Sequence, residues 1–428
     1  MKKRIKISSF LILLLWSLTT MAQDAIVFNP VANITDTSSL ELDGSRSITT
    51  VVIDGSTYAL VAAYDDDGVQ IIDITDPTSP VASASIKDSS SLELDDARDI
   101  TTVVMGTNTY ALVAAYGDDG VQIIDITDPS NPTPTASMTD SSSLALNGAR
   151  SITTVVIGAR TYALVASFID HGVQIIDITD PTSPTATASI TDTGSLALYS
   201  ASGITTVVIG TSTYALVAAY DDDGIQIIDI TDPTSPVATA SMRDSSSLAL
   251  DAASDITTVV IGGRTYALVA GFNDDGVQII DITDPNRLIP TASITDSSSL
   301  VLDGPNDITT VEVEGRTYAL VAAIGDDGAQ IIDITDPTNP IATASIMDSS
   351  SLALDAPRSI TAVVINGKNY VLTAASTDNG VQIMELGSDI LPPVITLGRG
   401  NSISLEAGYT FDPLLGISAH DIVDGDIS

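Results

Sequence analysis

The sequence predicts an all-β fold: a seven-bladed β-propeller closed by its own N-terminal strand, followed by an incomplete β-sandwich segment. Three observations carry this. Tyrosines recur every 52 residues, at Tyr58, Tyr110, Tyr162, Tyr214, Tyr266, Tyr318 and Tyr370. A fixed period of this length without insertion means one supersecondary unit stacked seven times. Each unit is rich in β-branched residues and lacks a 3.6-residue period, which excludes a helical solenoid. The last unit also stops one strand short, and the N-terminus holds a matching piece.

The unit between residues 48 and 88 shows the pattern. Ile48-Thr-Thr-Val-Val-Ile53 reads as a first strand and Asp54-Gly55-Ser56 as a hairpin turn. Thr57 to Tyr64 forms a second strand, with Tyr58, Leu60, Ala62 and Tyr64 on one face and Ala59, Val61 and Ala63 on the other. Both faces are apolar, so the strand must be covered on both sides. Asp65-Asp-Asp-Gly68 turns the chain, Val69 to Thr75 gives a third strand, and Asp76-Pro-Thr-Ser-Pro80 ends it, because proline cannot donate to a ladder. Val81 to Ile86, more polar, suits an outer edge. Four short antiparallel strands buried against copies of themselves make a propeller blade. The seventh copy, from Ile360 to Glu385, lacks its fourth strand, and Val31-Ala-Asn-Ile-Thr-Asp36 supplies it. Ring closure removes the exposed edges that would template aggregation; an open superhelical array is the alternative.

The repeated segment Tyr-Ala-Leu-Val-Ala, followed by Gly-Val-Gln-Ile-Ile-Asp-Ile-Thr-Asp-Pro, resembles the LVIVD repeats of secreted bacterial and archaeal propellers over residues 24–387, within a propeller domain spanning residues 24–389. That resemblance implies the fold and no common active site. The seventh copy departs from it, with Met384-Glu385-Leu386 in place of Ile-Asp-Ile. Beyond it, Pro392-Pro-Val-Ile-Thr-Leu397, Phe411-Asp-Pro413 and Ala419-His-Asp-Ile-Val-Asp-Gly-Asp426 resemble the start of a bacterial immunoglobulin-like domain of the DUF5011 type, residues 391–428. A half-sandwich cannot bury its core, so this segment is expected to pack poorly.

At the N-terminus, Met1-Lys-Lys-Arg-Ile-Lys6 precedes an apolar run from Ile7 to Leu18 and Thr20-Met-Ala22. This pattern reads as a signal peptide over residues 1–22, too short for a comfortable membrane span. The expected location is therefore outside the cell or on its surface. The chain has no cysteine, which excludes both a lipoprotein anchor and disulfides. Loss of Lys2, Lys3, Arg4 and Lys6 would take the net charge from −39 to −43. Such acidity repels nucleic acid and anionic membranes, keeps a repetitive β-protein soluble and monomeric, and suits divalent cations.

Alternating strands sort the loops onto two faces. One receives the Asp-rich turns and the recurring Asp-Ser-Ser-Ser-Leu-x-Leu-Asp connections; the other carries hairpins with Arg160, Arg264, Arg316 and Lys368. The paired leucines of each connection, such as Leu92 and Leu94, are expected to tuck between blades around a turn of helix. Calcium is the cofactor this pattern suits. Its candidate ligands are Asp65, Asp67, Asp118, Asp119, Asp221, Asp223, Asp274, Asp275, Asp326 and Asp327, although each turn alone offers too few oxygens for a full shell. Asp and Gly are also simply good turn residues.

No catalytic constellation emerges. The two histidines, His171 and His420, belong to no repeated set, and neither a nucleophile elbow nor a phosphate loop appears. The recurrent tyrosines read as core. The main departures from the repeat are Ile169 to His171, Thr193-Gly194 and Tyr199 to Ser202, the first place to look for a unique site. The sequence thus favours a non-enzymatic binding or adhesion propeller for an extracellular protein or polymer. A calcium-dependent hydrolase or lyase near the central channel and a structural coat component are the alternatives.

Overall fold

The computed structural model describes residues 26–388, 394–397, 417–421 and 425–426. Residues 26–388 form seven four-stranded antiparallel sheets. Blade 1 consists, from channel to rim, of Ser45–Ile53, Ser56–Ala63, Gly68–Asp73 and Val81–Lys87. Blades 2 to 6 repeat it over residues 97–139, 149–191, 201–243, 253–295 and 305–347. Blade 7 takes three strands from Pro357–Ile365, Lys368–Ala375 and Gly380–Ser388, and its fourth is Ile26–Thr35.

The closing strand starts earlier than the repeat alone indicates. Thr35 pairs with Gly380 and Ile34 with Val381, as the phase requires, but pairing then runs on past a bulge to Ile26 and Ser388. The extension follows from the seventh copy's departure: without Asp-Pro, nothing ends its third strand at the usual place.

Apolar burial is organised between blades. Leu60 and Ala62 of blade 1 pack with Ala111, Val113, Ile124 and Ile126 of blade 2. Ala59 and Val61, on the opposite face of the same strand, pack with Leu372, Ala374, Val381 and Ile383 of blade 7. The loop leucines complete these clusters: Leu94 is fully buried between blades 1 and 2, with Leu92 partly buried beside it. The connection carrying them holds a single hydrogen-bonded turn, Leu92 N–H to Ser89 C=O at 2.9 Å, rather than a turn of helix.

One recurrent core residue is polar. The glutamine of Gly-Val-Gln-Ile-Ile-Asp is buried in all seven blades. In blade 4 its Nε2 donates to Ala240 C=O at 2.8 Å and Ile227 C=O at 2.9 Å, while Oε1 accepts from Ala197 N–H at 3.1 Å. A bulge between the third and fourth strands adjoins the Ala240 carbonyl, and Ala197 lies in the connection entering the blade. The amide therefore fastens the loop and the outer strand to the sheet, which explains why a polar residue recurs amid isoleucines.

The candidate leader, residues 1–22, lies outside the described residues. In the C-terminal segment, Val394–Leu397, Ile417–Asp421 and Gly425–Asp426 form a small antiparallel sheet; the packing expected there lies outside the described residues.

Replacing Gln226 by leucine should lower stability by about 1–3 kcal/mol, since it strands a buried N–H and two carbonyls. Urea denaturation checks this, and an unchanged midpoint would show that leucine burial alone holds the connection.

Candidate functional site: the acidic rim and the central channel

The Asp-rich turns and the interblade connections do meet on one face, and hydrogen bonds show what most turn carboxylates do. The second turn residue accepts from the connection entering its own blade: Asp118 from Asp95 N–H at 2.9 Å, Asp274 from Asp251 at 2.9 Å, Asp326 from Asp303 at 3.0 Å. The third accepts from the connection entering the next blade. Asp67 binds Asp96 N–H at 3.0 Å, Asp119 Gly148 at 2.7 Å, Asp223 Ala252 at 3.0 Å, Asp275 Gly304 at 3.0 Å and Asp327 Ala356 at 3.1 Å. These third residues sit at positive φ, near 50°, a conformation that Asp, Asn and His tolerate better than most side chains.

His171 belongs to the same series. At φ 53° its Nδ1 accepts from Ser200 N–H at 2.9 Å, so the ring keeps that nitrogen unprotonated. It stacks on Tyr199 with centroids 3.8 Å apart, and the Ser200 hydroxyl donates to Asp221. His171, Tyr199 and Ser200 are thus one local repacking of this turn-to-connection latch.

Among the candidate ligands, the structure brings Asp67 together with Asp95 and Asp96, one carboxylate oxygen from each lying within 4.8 Å of the others. Asp95 and Asp96 belong to the connection. Burial, and then the charges of Asp67, Asp96 and Asp118, raise the Asp95 carboxyl above its usual range. Asp303 and Asp355 are raised in the same way, by burial first and by neighbouring aspartates next. Asp65 carries a different role, its charge lying near Arg46 at the channel mouth.

The channel itself escaped the sequence reading because each innermost strand starts three residues before the β-branched run. It begins at Ser45 rather than Ile48, and a bulge lies between Ser45 and Ser47. The bulge turns two consecutive side chains toward the axis. The upper position reads Arg46, Arg98, Arg150, Ser202, Ser254, Asn306 and Arg358 around the ring; the lower reads Ser47, Asp99, Ser151, Gly203, Asp255, Asp307 and Ser359. Together they line a cavity of about 100 Å³, room for several waters. The copies differ in charge here, so the symmetry of the ring is broken on its axis.

The lower ring is tied to the strands. Asp99 touches channel solvent yet lies deep in the molecule. It accepts from the Ser47 and Ser151 hydroxyls at 2.6 and 2.9 Å and from the Ile100 and Ile152 amides at 2.8 and 2.7 Å. Burial raises its carboxyl, and these four bonds oppose the rise. Asp307 accepts from Ile360 N–H at 2.8 Å and Asp255 from Ile308 N–H at 3.2 Å. Burial and then the adjacent Asp307 push Asp255 well above the usual carboxylate range.

The upper ring is cationic on four successive blades, 7, 1, 2 and 3. The Arg46 guanidinium lies 4.8 Å from the Tyr64 ring centroid, Arg98 5.0 Å from Tyr116, and Arg150 4.6 Å from Phe168 and 5.4 Å from Tyr220. These half-buried rings and Phe272 make a partial collar at the mouth on the acidic face. The 52-residue tyrosines are core or partly buried at the opposite, hairpin end of the same strands, as the sequence reading has them, whereas Tyr64, Tyr116 and Tyr220 are collar residues. At the far end of the innermost strands, Val52, Val104, Val156, Val208, Val260 and Val364 are more than half exposed. The two faces therefore differ in chemistry, one acidic and the other partly apolar.

Comparison with known proteins bears on the repeat itself. The LVIVD repeat profile matches residues 48–88, 97–140, 159–192, 208–244 and 309–348. The chain carries LVIVD repeats. No curated protein matches it in sequence. Among solved structures, the fold is similar to that of BBS1N in crystals of its complex with ARL6DN soaked with mercury, at TM-score 0.56 and 11% identity, covering 86% of this chain and 99% of that one. The lead-soaked crystal of the same complex gives TM-score 0.56 and 11% identity over 85% and 98%. A functionally unknown protein from Desulfotomaculum acetoxidans DSM 771 is similar at TM-score 0.51 and 13% identity, over 76% and 96%. At these identities the chain shares with them its fold alone.

The raised Asp255 carboxyl fixes the sign of a pH effect. The native state holds this proton more tightly than the unfolded chain, so its ionisation costs stability above the folded pKa, and the cost fades as pH falls toward the ordinary value of 3.8. Asp255→Asn should therefore melt higher than wild type at pH 7 and 8, with the gap closing on acidification. An equal or lower melting temperature at pH 7 would refute the assignment.

Proposed function

We propose that this LVIVD propeller is a secreted or cell-surface, non-enzymatic binding or adhesion protein that presents its acidic face to an extracellular protein or polymer. The observation that carries the reading is the latch. Turn carboxylates are held against the connections on one face by bonds from connection N–H groups, which fixes their positions without neutralising them. A carboxylate has lone pairs for more than one donor, so each latched group keeps capacity for an outside partner. A rigid, repeated array of this kind suits a partner with recurring cationic or hydroxyl groups, or one bridged by divalent cations.

Calcium is the bridging ion the array suits best, because hard cations take carboxylate oxygens. Asp67, Asp95 and Asp96 offer the most compact trio, with the partner and water supplying the remaining ligands. Burial first, and then the charges of Asp67, Asp96 and Asp118, raise Asp95, and such an ion would relieve that repulsion. Against catalysis stands the use of His171 Nδ1 as a backbone acceptor, which leaves that nitrogen unavailable as a base.

Calorimetric titration with calcium, paired with thermal melts in calcium and in chelator, tests the cation-bridged mode. The expected result is weak binding with an upward melting shift, both reduced in Asp95→Asn and Asp96→Asn. No heat and no shift would remove that mode.

A further inference from the structure

Positive charge is scarce in this chain, with 16 Lys and Arg against 55 Asp and Glu. On the outer surface it is mostly spent on ion pairs: Lys87 with Glu41 and Asp66, Arg160 with Asp177, Arg243 with Asp222, Arg264 with Asp281, Arg316 with Asp333, Lys368 with Glu385. The four channel arginines break this habit. Among the described residues no carboxylate lies within ion-pairing distance of Arg46, Arg98, Arg150 or Arg358.

We propose that the central channel is an anion-binding site, taking a compact oxyanion group (phosphate, sulfate or carboxylate) between the guanidinium groups of Arg46, Arg98, Arg150 and Arg358.

Three features of the geometry support this. Arg46, Arg98 and Arg150 lie over aromatic rings, contacts that hold a guanidinium without a protein acceptor for its N–H donors. All four arginines line the cavity, and the only hydrogen bond from the four side chains to a protein acceptor, among the described residues, is Arg358 Nε to Ser376 Oγ at 3.1 Å. The cavity of about 100 Å³ is sized for a compact group and not for a polymer.

The four cations also destabilise one another. Burial, and then neighbouring arginines, lower Arg46 and Arg98 to about 9 and Arg150 to about 10; burial lowers Arg358. All stay charged at neutral pH, so an anion between them would relieve both costs. Internal compensation by the lower ring does not account for the cluster. Asp99 is already saturated by two hydroxyls and two amides; Asp307, although it borders blade 7 through Ile360 N–H, makes no ion pair with Arg358, and Asp65 and Asp221, whose charges reach Arg46 and Arg150, make none with them. The acidic rim adds a filter. At physiological salt, fields decay over about 8 Å, so the rim turns away large polyanions while its charge is screened from a small anion at contact.

The test uses the chain stripped of divalent cations by chelator and then dialysed free of it, which separates it from the calcium-bridged mode: loss of either result leaves the other standing. Sodium phosphate, sodium sulfate, glucose 6-phosphate and glucuronate are titrated by calorimetry against sodium chloride of matched ionic strength. Saturable one-to-one binding of at least one is expected, weakened roughly tenfold or more in Arg98→Gln or Arg150→Gln, as loss of a charge-assisted hydrogen bond implies. Arg160→Gln, whose guanidinium is ion-paired on the outer surface, should bind as wild type. Preference for the inorganic ions marks a free anion as ligand; preference for the sugar-borne groups marks the end of a larger molecule. Without anion, Arg98→Gln should melt above wild type, because repulsion is removed, and this also verifies that the variant folds. Absence of saturable heat with all four probes overturns the proposal, as does wild-type affinity in the channel variants.

Discussion

The whole molecule depends on a strand with two apolar faces. In blade 1 the segment Tyr58-Ala-Leu-Val-Ala-Ala63 has no polar side to give to water, and its two faces enter two different interblade clusters. A lone blade would leave both faces wet, at a cost of about 25 cal/mol for each Å² of apolar surface. Stacking removes the cost for inner copies only; the two end copies keep an open face until they meet. Closure into a ring is the solution in which no copy is an end. The small residues at Ala59, Ala62 and Ala63, all fully buried, let neighbouring sheets approach closely enough for this.

Much of that arrangement was legible in the residues. Period, strand polarity and the displaced fourth strand follow from alternation and from the truncated seventh copy. So does the gathering of acidic turns on one face, since strand direction alone decides it. The paired leucines were readable too, because an apolar pair in a polar loop has few places to go.

What was not legible has a common cause: local irregularity. The bulge near Ser45 makes Arg46 and Ser47 part of a strand, although Gly44 and the preceding polar residues read as loop. With that shift hidden, nothing in the sequence gathers the four arginines onto one axis. The buried glutamine was visible as a repeated letter, but its meaning required the bulge that leaves a carbonyl free in the outer strand. The turn aspartates suggested metal; backbone N–H groups of the connections claim at least one oxygen of most of them. His171 fits once its backbone conformation is known, because its place in the series is defined by φ and by an acceptor nitrogen rather than by charge.

The seam of the ring has a kinetic side. Every other blade is built from one continuous stretch of about 43 residues, and its strands can pair as neighbours. Blade 7 alone joins residues near 30 to residues near 385, so it can mature only after the six contiguous blades have brought the two ends into reach. Closure entropy grows just logarithmically with separation, about 0.6 kcal/mol per doubling, so the delay reflects order of events more than energetic cost. Until then the third strand of blade 7 offers a bare edge to any extended segment nearby, including the first strand of another copy. The same join that locks the finished ring is thus the step at which two unfinished rings could exchange strands.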